Sequence, residues 1–190
     1  MQLLKERILK DGRVFDGDVL YVGSFLNHQI DTDLMDKIGN EIATLFCGQK
    51  ITKILTIEAS GIAIACATAR YINVPVLFAK KSKTSNLTSD VLRAEVVSYT
   101  HHNISTIFVE REFILPTDKI LVVDDFLANG EAIRGLKGLI EEGGAELVGC
   151  AIAIEKGFQG GGDELRQSGI DVKSLAIIDS MGEDGIVFRD

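Results

Sequence analysis

The hydrophobic positions of the chain follow two repeats. Runs of apolar, often β-branched residues predict strands, and stretches with an apolar residue every three or four positions predict amphipathic helices. The predicted strands are residues 51–57, 74–79, 119–123, 147–154 and 172–178, and the predicted helices are residues 1–10, 33–47, 62–72, 133–142 and 163–168. Because strands and helices alternate, the predicted fold class is α/β, a doubly wound parallel sheet flanked by helices.

Three segments break this alternation. Residues 14–25 carry Gly17 and Gly23 among alternating apolar positions and predict irregular or extended structure. Residues 91–99 and 104–110 predict the two strands of a hairpin, and a polar stretch, residues 84–90, precedes it. Residues 179–190 carry no pattern from which we predict a structure.

Composition narrows the class of protein. A chain of 190 residues that is 46% hydrophobic and 25% charged fits one compact domain, residues 1–190. Its net charge of −8 argues against broad nucleic-acid binding, which needs a basic surface. The sequence has no apolar run long enough to span a membrane, and its N-terminus lacks a signal-peptide pattern, so we expect a cytoplasmic protein.

The segment from Lys119 to Ile133 carries the strongest chemical signal. Its apolar strand runs into Asp124 and Asp125, and a loop of small residues then leads to a helix that begins at Gly130 or Glu131. A helix N-terminus presents unpaired N–H groups that bind a phosphate. Adjacent carboxylates accept hydrogen bonds from vicinal hydroxyls or help to hold Mg²⁺. The segment therefore predicts a site for a ribose 5-phosphate.

This segment resembles the 5-phosphoribosyl-1-diphosphate (PRPP) binding motif of the type I phosphoribosyltransferases. Its sequence, Asp-Asp-Phe-Leu-Ala-Asn-Gly-x-Ala, is similar to that of the bacterial members of the family that act on xanthine. The resemblance implies the type I phosphoribosyltransferase fold, with a hood formed by residues 1–30 and C-terminal segments and with a flexible lid loop. It also implies that the 5-phosphoribosyl group of PRPP is transferred to N9 of xanthine in purine salvage. Mg²⁺ bound with PRPP and a homodimer are implied as well.

The loop departs from the family pattern at two positions. It has no Thr or Ser, so a phosphate would rely mostly on backbone donors. Glu131 would repel a phosphate unless its carboxylate points away along the first helical turn, where a negative charge is favourable to the helix.

The resemblance also implies roles for individual residues. Asp124 and Asp125 are the implied catalytic pair, which positions the ribose. Leu20, Asn27 and Lys156 are the implied purine contacts. An Asn suits this task because its amide donates to a 2-oxo group and accepts from a ring N–H. The implied PRPP contacts are Ala128, Asn129, Gly130, Glu131, Ala132, Glu58, Ala59, Ser60, Gly61 and Lys81.

The residues alone leave some of these assignments open. Residues 58–61 also fit an ordinary connection between a strand and a helix, the lysines at residues 80–83 fit a solvated loop, and Lys156 fits an exposed turn. Two other functions stay open as well: a PRPP-sensing regulator that binds nucleic acid, and an enzyme whose main base is guanine or hypoxanthine. A phosphoryl-accepting receiver domain is a disfavoured alternative, because the residues after Asp179 are too few for the remaining strands of that fold.

Overall fold

Five α-helices and ten β-strands form the described part of the chain, which comprises residues 1–15, 18–82, 90–98, 103–182 and 185–189 of a computed structural model. The helices are α1 (Gln2–Asp11), α2 (Thr32–Leu45), α3 (Gly61–Ile72), α4 (Glu131–Glu142) and α5 (Gly161–Gln167). The strands are β1 (Arg13–Phe15), β2 (Val19–Tyr21), β3 (Lys53–Ile57), β4 (Val76–Ala79), β5 (Val91–Ser98), β6 (Asn103–Glu110), β7 (Lys119–Leu127), β8 (Glu146–Lys156), β9 (Val172–Gly182) and β10 (Gly185–Phe188).

The predicted parallel sheet is confirmed. Its six strands run in the order β10-β9-β8-β7-β3-β4, and every pair is parallel except β10 with β9. Side chains alternate across β7, so that Leu121 and Val123 pack with α1, α2 and α3, whereas Ile120 and Val122 pack with α4 and the hairpin β5–β6. Both faces of the sheet are therefore buried, as expected for strands that read as continuous apolar runs.

Helices α2 and α3 lie side by side on the first of these faces. The side chain of Asp31 caps α2 by accepting a 3.1 Å hydrogen bond from the backbone N–H of Leu34. At Gly39 the two helices approach so closely that a Cβ atom would come within 2.5 Å of the carbonyl carbon of Ala67. Small residues at this crossing hold α3, and with it the loop before α3, close to the sheet.

The central strand is longer than predicted. Residues 119–123 were the predicted strand, but β7 continues to Leu127 because its pairing with β8 persists at Phe126–Ile154 and Leu127–Glu155. Asp124 and Asp125 consequently lie inside a paired strand. Their backbone is held on one side by the pairing with β8, whereas the pairing with β3 ends at Val122.

Other segments also differ from the prediction. The segment predicted to be irregular or extended is extended in the antiparallel hairpin β1–β2, but it then forms a π-helical turn, Gly23–Asn27, that the sequence does not predict. The C-terminal tail, for which nothing was predicted, extends β9 and adds the edge strand β10. The predicted hairpin is confirmed as β5–β6, whereas residues 83–89, most of the predicted lid, lie outside the described residues. Within the described ranges, no helix combines the length and apolarity of a membrane span.

Candidate active site

A cavity of about 580 Å³ opens at the carboxyl ends of β3, β7 and β8. This is the edge at which open parallel sheets bind their ligands. Most of the candidate site residues from the sequence analysis line this cavity. Its walls include the acid pair, the whole loop from Ala128 to Ala132, Glu58, Ser60, Lys81 and Lys156.

The acid pair forms the floor of this cavity. Asp124 is 4% exposed and Asp125 is 9% exposed, and one oxygen of Asp124 accepts a 2.9 Å hydrogen bond from the backbone N–H of Asp125. Burial, together with the neighbouring charge of Asp125, raises the pKa of Asp124 well above its usual 3.8. Two carboxyl groups held this close need hydroxyl donors or a cation as partners, and a bound sugar offers the former.

The loop after β7 has the geometry of an anion cradle. Gly130 adopts φ 86° and ends the loop at the N-terminus of α4, where the first N–H groups of the helix have no partner within it. The carboxylate of Glu131 is directed along the first helical turn to Arg134, whose Nη1 lies 2.8 Å from its Oε1. The sequence left the direction of this carboxylate open, and Glu131 still lines the cavity.

The loop between β3 and α3 forms a second wall. It contains a cis peptide bond between Glu58 and Ala59. At Gly61 a Cβ atom would lie 2.1 Å from the hydroxyl of Thr56 and 3.0 Å from Oδ1 of Asp124, so no side chain fits there. Glu58 and Ser60 line the cavity, whereas Ala59 and Gly61 supply backbone behind it. The second loop is thus seated directly against the acid pair.

Lys81 approaches the cavity from the end of β4. Its backbone N–H donates a 2.5 Å hydrogen bond to Oε1 of Glu58, which ties the start of the predicted lid to the second loop. The positive charge of Lys81 partly opposes the rise in the pKa of Asp124. Lys81 is exposed, so its ammonium group is accessible to a ligand.

The opposite end of the cavity contains Lys156, the last residue of β8. Its ammonium group donates a 2.6 Å hydrogen bond to the backbone oxygen of Asp18, which lies beside β2. Burial lowers the pKa of Lys156, and Asp18 counteracts this in part. Asp18 and Val19 line the cavity next to this lysine.

Leu20 and Asn27 are placed differently from Lys156. Leu20 is 7% exposed and packs in the hydrophobic core, because alternation along β2 directs Val19 toward the cavity and Leu20 away from it. Asn27 is exposed at the end of the π-helical turn, and its amide donates a 3.1 Å hydrogen bond to Oδ2 of Asp125. Neither residue is part of the cavity wall, so their contacts with a base stay predictions.

Sequence reasoning missed Gln159, which lines the cavity three positions beyond Lys156. Its Oε1 atom is buried, and no hydrogen-bond partner for it is present among the described residues. A buried acceptor without a donor is unfavourable, which makes this atom ready to accept from a ligand. Its position just after a strand that ends at the binding edge of the sheet was the available signal.

Gly161, the first residue of α5, packs against the loop after β7. A Cβ atom at this glycine would lie 2.3 Å from the carbonyl oxygen of Ala128. Behind it, the fully buried Glu155 receives two hydrogen bonds from Arg166, at 2.9 and 2.6 Å. This ion pair anchors α5 to β8, so the turn that carries Lys156 and Gln159 is held against the loop Ala128–Gly130.

The donor set for a metal ion is small. Among the residues that the structure describes, no group of three or more His, Cys, Asp or Glu side chains is arranged to hold a metal. Asp124 and Asp125 together provide carboxylate oxygens, the ligand type that Mg²⁺ prefers. They fit an Mg²⁺ ion that brings most of its ligands from a bound substrate.

Sequence comparison identifies a match over most of the chain. Residues 23–182 match the model of the phosphoribosyl transferase domain. The xanthine phosphoribosyltransferase of Lachnoclostridium phytofermentans is 54% identical over 191 residues, which cover 100% of this chain and 98% of that protein. The enzyme of the same name from Ruminiclostridium cellulolyticum is 54% identical over 190 residues and is covered completely, as is this chain.

Structural comparison agrees on the fold. The adenine phosphoribosyltransferase of Trypanosoma brucei, crystallised with AMP, pyrophosphate and ribose-5-phosphate, superposes with a TM-score of 0.79 at 18% identity, over 96% of this chain and 82% of that one. The corresponding enzyme of Giardia lamblia gives a TM-score of 0.74 at 17% identity, over 92% of this chain and 96% of that one. At these identities the likeness concerns the fold alone.

Proposed function

Since the chain belongs to the phosphoribosyl transferase family, we propose that it transfers the 5-phosphoribosyl group of PRPP to N9 of xanthine. The products are xanthosine 5′-monophosphate and diphosphate, and the reaction belongs to purine salvage. Relatives named xanthine phosphoribosyltransferase, about half identical over the whole chain, support this base over other purines.

One observation carries the proposal: the acid pair, the loop Ala128–Ala132 and Lys156 line one cavity. We assign the loop to the 5-phosphate, and the carboxylates of Asp124 and Asp125 to the hydroxyls of the attached ribose. Lys156, the last residue of β8, is assigned to the purine. These assignments account for the three groups of a nucleoside monophosphate.

The acid pair stabilises the sugar during the reaction. As the bond between C1 and the diphosphate oxygen lengthens, positive charge develops on the ribose ring. Carboxylates beside the ring favour this charge, and hydrogen bonds from the vicinal hydroxyls fix the orientation of the sugar. The purine nitrogen attacks directly, so no side-chain nucleophile is required, and the alignment of the two substrates supplies much of the rate acceleration.

The second loop and Lys81 serve the leaving group. The backbone around Glu58–Gly61 faces the diphosphate, and the ammonium group of Lys81 balances the negative charge that collects there. Mg²⁺, when bound with PRPP, neutralises part of this charge and orients the diphosphate. The carboxylates of Asp124 and Asp125 would hold this ion together with the substrate. Exclusion of water protects PRPP from hydrolysis while it is bound.

The base end supplies hydrogen-bonding groups that suit an oxopurine. Lys156 offers a cationic donor to an oxo group, and Gln159 offers an acceptor to a ring N–H. Asn27 is assigned to recognition of the 2-oxo group, to which its side-chain amide would donate a hydrogen bond. Its contact with Asp125 also connects this end to the acid pair. Leu20 supports the same wall from the core.

A comparison of bases tests the proposal. Nucleotide formation is measured with PRPP and Mg²⁺ and with xanthine, guanine, hypoxanthine or adenine as the acceptor. We expect the highest kcat/KM with xanthine, weaker activity with guanine and hypoxanthine, and the lowest with adenine, which has no oxo group. Equal activity on all four bases, or none with any of them, would refute the assignment.

Three further properties belong to the proposal. We expect no binding of DNA or RNA, which a filter-binding assay beside the activity assay tests against a PRPP-sensing regulator. We expect a homodimer, which light scattering tests. We also expect the protein in the cytoplasm, where its nucleotide product is used, and cell fractionation tests this.

A further inference from the structure

We propose that Arg134 is a positioning residue which neutralises Glu131 and thereby enables the phosphate loop to bind a dianionic 5-phosphate. The inference rests on the proposed function, because it concerns the subsite that receives the phosphate of PRPP. It assigns a task to an α4 side chain that is not itself part of the cavity wall.

Arg134 makes three polar contacts around the loop. Its Nη1 atom donates to the backbone oxygen of Asn129 at 2.7 Å and to Oε1 of Glu131 at 2.8 Å. Its Nη2 atom donates to Oε2 of Glu164 on α5 at 2.8 Å. The guanidinium group therefore connects the loop, the first residue of α4 and the neighbouring helix.

The carboxylate of Glu131 is unfavourable for a phosphate bound in the loop. This residue is the first residue of α4 and lines the cavity next to the unpaired N–H groups that would hold the phosphate. A carboxylate is favourable at a helix N-terminus, but it repels a phosphate that competes for the same positive end of the helix. The loop has no Thr or Ser hydroxyl to compensate.

Arg134 reduces this repulsion because it orients the Glu131 carboxylate and offsets its charge. The bond at 2.8 Å directs the carboxylate along the helical turn, and the guanidinium, which also pairs with Glu164, offsets its charge. Both side chains are partly exposed, at 38% and 27%, so the pair adds little to stability by itself. Its effect should appear when a second negative charge, the phosphate, enters.

Gly130 shows how closely the guanidinium approaches the loop. A Cβ atom at this glycine would lie 3.1 Å from Nη1 of Arg134. The positive φ of 86° already favours glycine here. The guanidinium group therefore packs against the loop, although Arg134 is not part of the cavity wall.

Calorimetry with two ligands tests the inference. Binding of PRPP with Mg²⁺ and of ribose 5-phosphate, which carries the same phosphate without the diphosphate, is measured for the wild-type chain and for Arg134→Met. We expect Kd to rise about tenfold for both ligands, because Glu131 is left unbalanced beside the phosphate. A change in Kd below about twofold would overturn the inference.

A second substitution separates charge from structure. If charge compensation is the mechanism, Glu131→Gln in the Arg134→Met background restores Kd to within about threefold of the wild type. If Arg134 acts only as a structural clamp on the Asn129 carbonyl, the double variant binds as weakly as Arg134→Met, and the inference fails.

Matched controls exclude general effects. Lys137→Met removes a positive charge from the same helix, from an exposed pair with Glu141, and should leave both Kd values unchanged. Glu164→Gln removes the far partner of Arg134 and should also leave them unchanged. A loss equal to that of Arg134→Met in either control would overturn the inference.

Two further outcomes are distinguishable. If Arg134→Met does not fold, Glu131→Gln in the otherwise unchanged chain decides: a Kd equal to or below the wild-type value supports the inference, and a higher Kd overturns it. If the wild-type chain releases no heat with PRPP, the proposed function fails. If it binds PRPP with no response to these substitutions, only the role of Arg134 fails.

Discussion

The two ends of the cavity are built in different ways. The proposed sugar-phosphate end comes from one continuous segment, Asp124–Ala132, in which strand, loop and helix follow each other directly. The proposed base end is assembled from Asp18 and Val19 in the N-terminal hairpin and from Lys156 and Gln159 at and after the end of β8. Its defining contact, from Lys156 to Asp18, joins residues 138 positions apart.

Because the two ends are built separately, the binding strength for the sugar phosphate and the selectivity for the base can change independently. A continuous segment keeps its geometry as long as its own strand and helix form, so a phosphate cradle of this kind is robust. An end assembled from distant segments depends on how those segments meet. Substitutions at the first end should therefore affect all bases alike, whereas substitutions at the second should discriminate between bases.

The largest effect is expected at the acid pair. Asp124→Asn should lower kcat by about a thousandfold with every accepted base, because the ribose loses the carboxylate that stabilises its developing charge. Steady-state kinetics with xanthine and hypoxanthine measure this. Asp36→Asn, a partly exposed carboxylate outside the cavity wall, is the control and should leave kcat unchanged. Retention of activity in Asp124→Asn would contradict the assigned role.

The same substitution should stabilise the fold in a pH-dependent way. The raised pKa of Asp124 means that the folded chain binds more protons than the unfolded chain above pH 3.8, so stability declines as pH rises through the raised value. Asp124→Asn removes this decline. Its Tm should exceed that of the wild type at about pH 8, and the difference should shrink as the pH falls toward 4. A constant difference would contradict the burial argument.

The next effect is expected at Lys156. Lys156→Met should raise KM for xanthine about a hundredfold and KM for PRPP by less than about threefold, because only the base loses a charged donor. Lys173→Met, a surface lysine outside the cavity, is the control. Because the pKa of Lys156 is lowered, this side chain loses its charge at a lower pH than an ordinary lysine does. The affinity for xanthine should therefore begin to fall at a lower pH than it would with an ordinary lysine in this place. Equal effects on both KM values would contradict a role limited to the base.

A smaller effect is expected at Asn27. Asn27→Ala should raise KM for xanthine about tenfold and KM for hypoxanthine less, because hypoxanthine has no 2-oxo group for the amide to bind. Its hydrogen bond to Asp125 supplies the alternative explanation. If the amide serves only to orient the acid pair, kcat falls equally for both bases, and Asn27 is removed from base recognition.

The smallest effect is expected at Gln159. Gln159→Ala should raise KM for xanthine about threefold, because the buried acceptor is lost from one side of the base. Gln159→Glu keeps the acceptor and should restore part of the affinity for a base with ring N–H groups. The control is Gln49→Ala, at a surface glutamine away from the cavity wall. An unchanged KM in Gln159→Ala would exclude contact with the base.

The comparison also explains which features the sequence could predict. The parallel sheet and the loop after β7 depend on local patterns, namely apolar runs and small residues before a helix, and both were predicted correctly. The π-helical turn at Gly23–Asn27 and the added strand β10 depend on tertiary contacts that override local preference. The extension of β7 to Leu127 depends on pairing with β8, which no local pattern of residues 124–127 reveals.

The candidate site was predictable to a similar extent. Residues 124–132, whose binding roles stay predictions, could be singled out because they form one contiguous segment. Gln159 was missed because its acceptor is significant only once the surrounding structure buries it. The packing of Leu20 in the core follows from the pairing of β1 with β2, a hairpin that the glycines of residues 13–27 obscured. The Arg134–Glu131 pair was missed because its importance depends on the neighbouring ligand site.

The contact at Gly161 has a consequence for attempts to redesign substrate choice. Any change that shifts the start of α5, such as a longer turn to accommodate a bulkier nucleobase, would press against the backbone at Ala128 and deform the subsite for the ribose phosphate. Selection for new bases should therefore favour replacements of individual side chains over insertions in this turn. Libraries that vary loop length between residues 157 and 161 should yield mostly inactive variants.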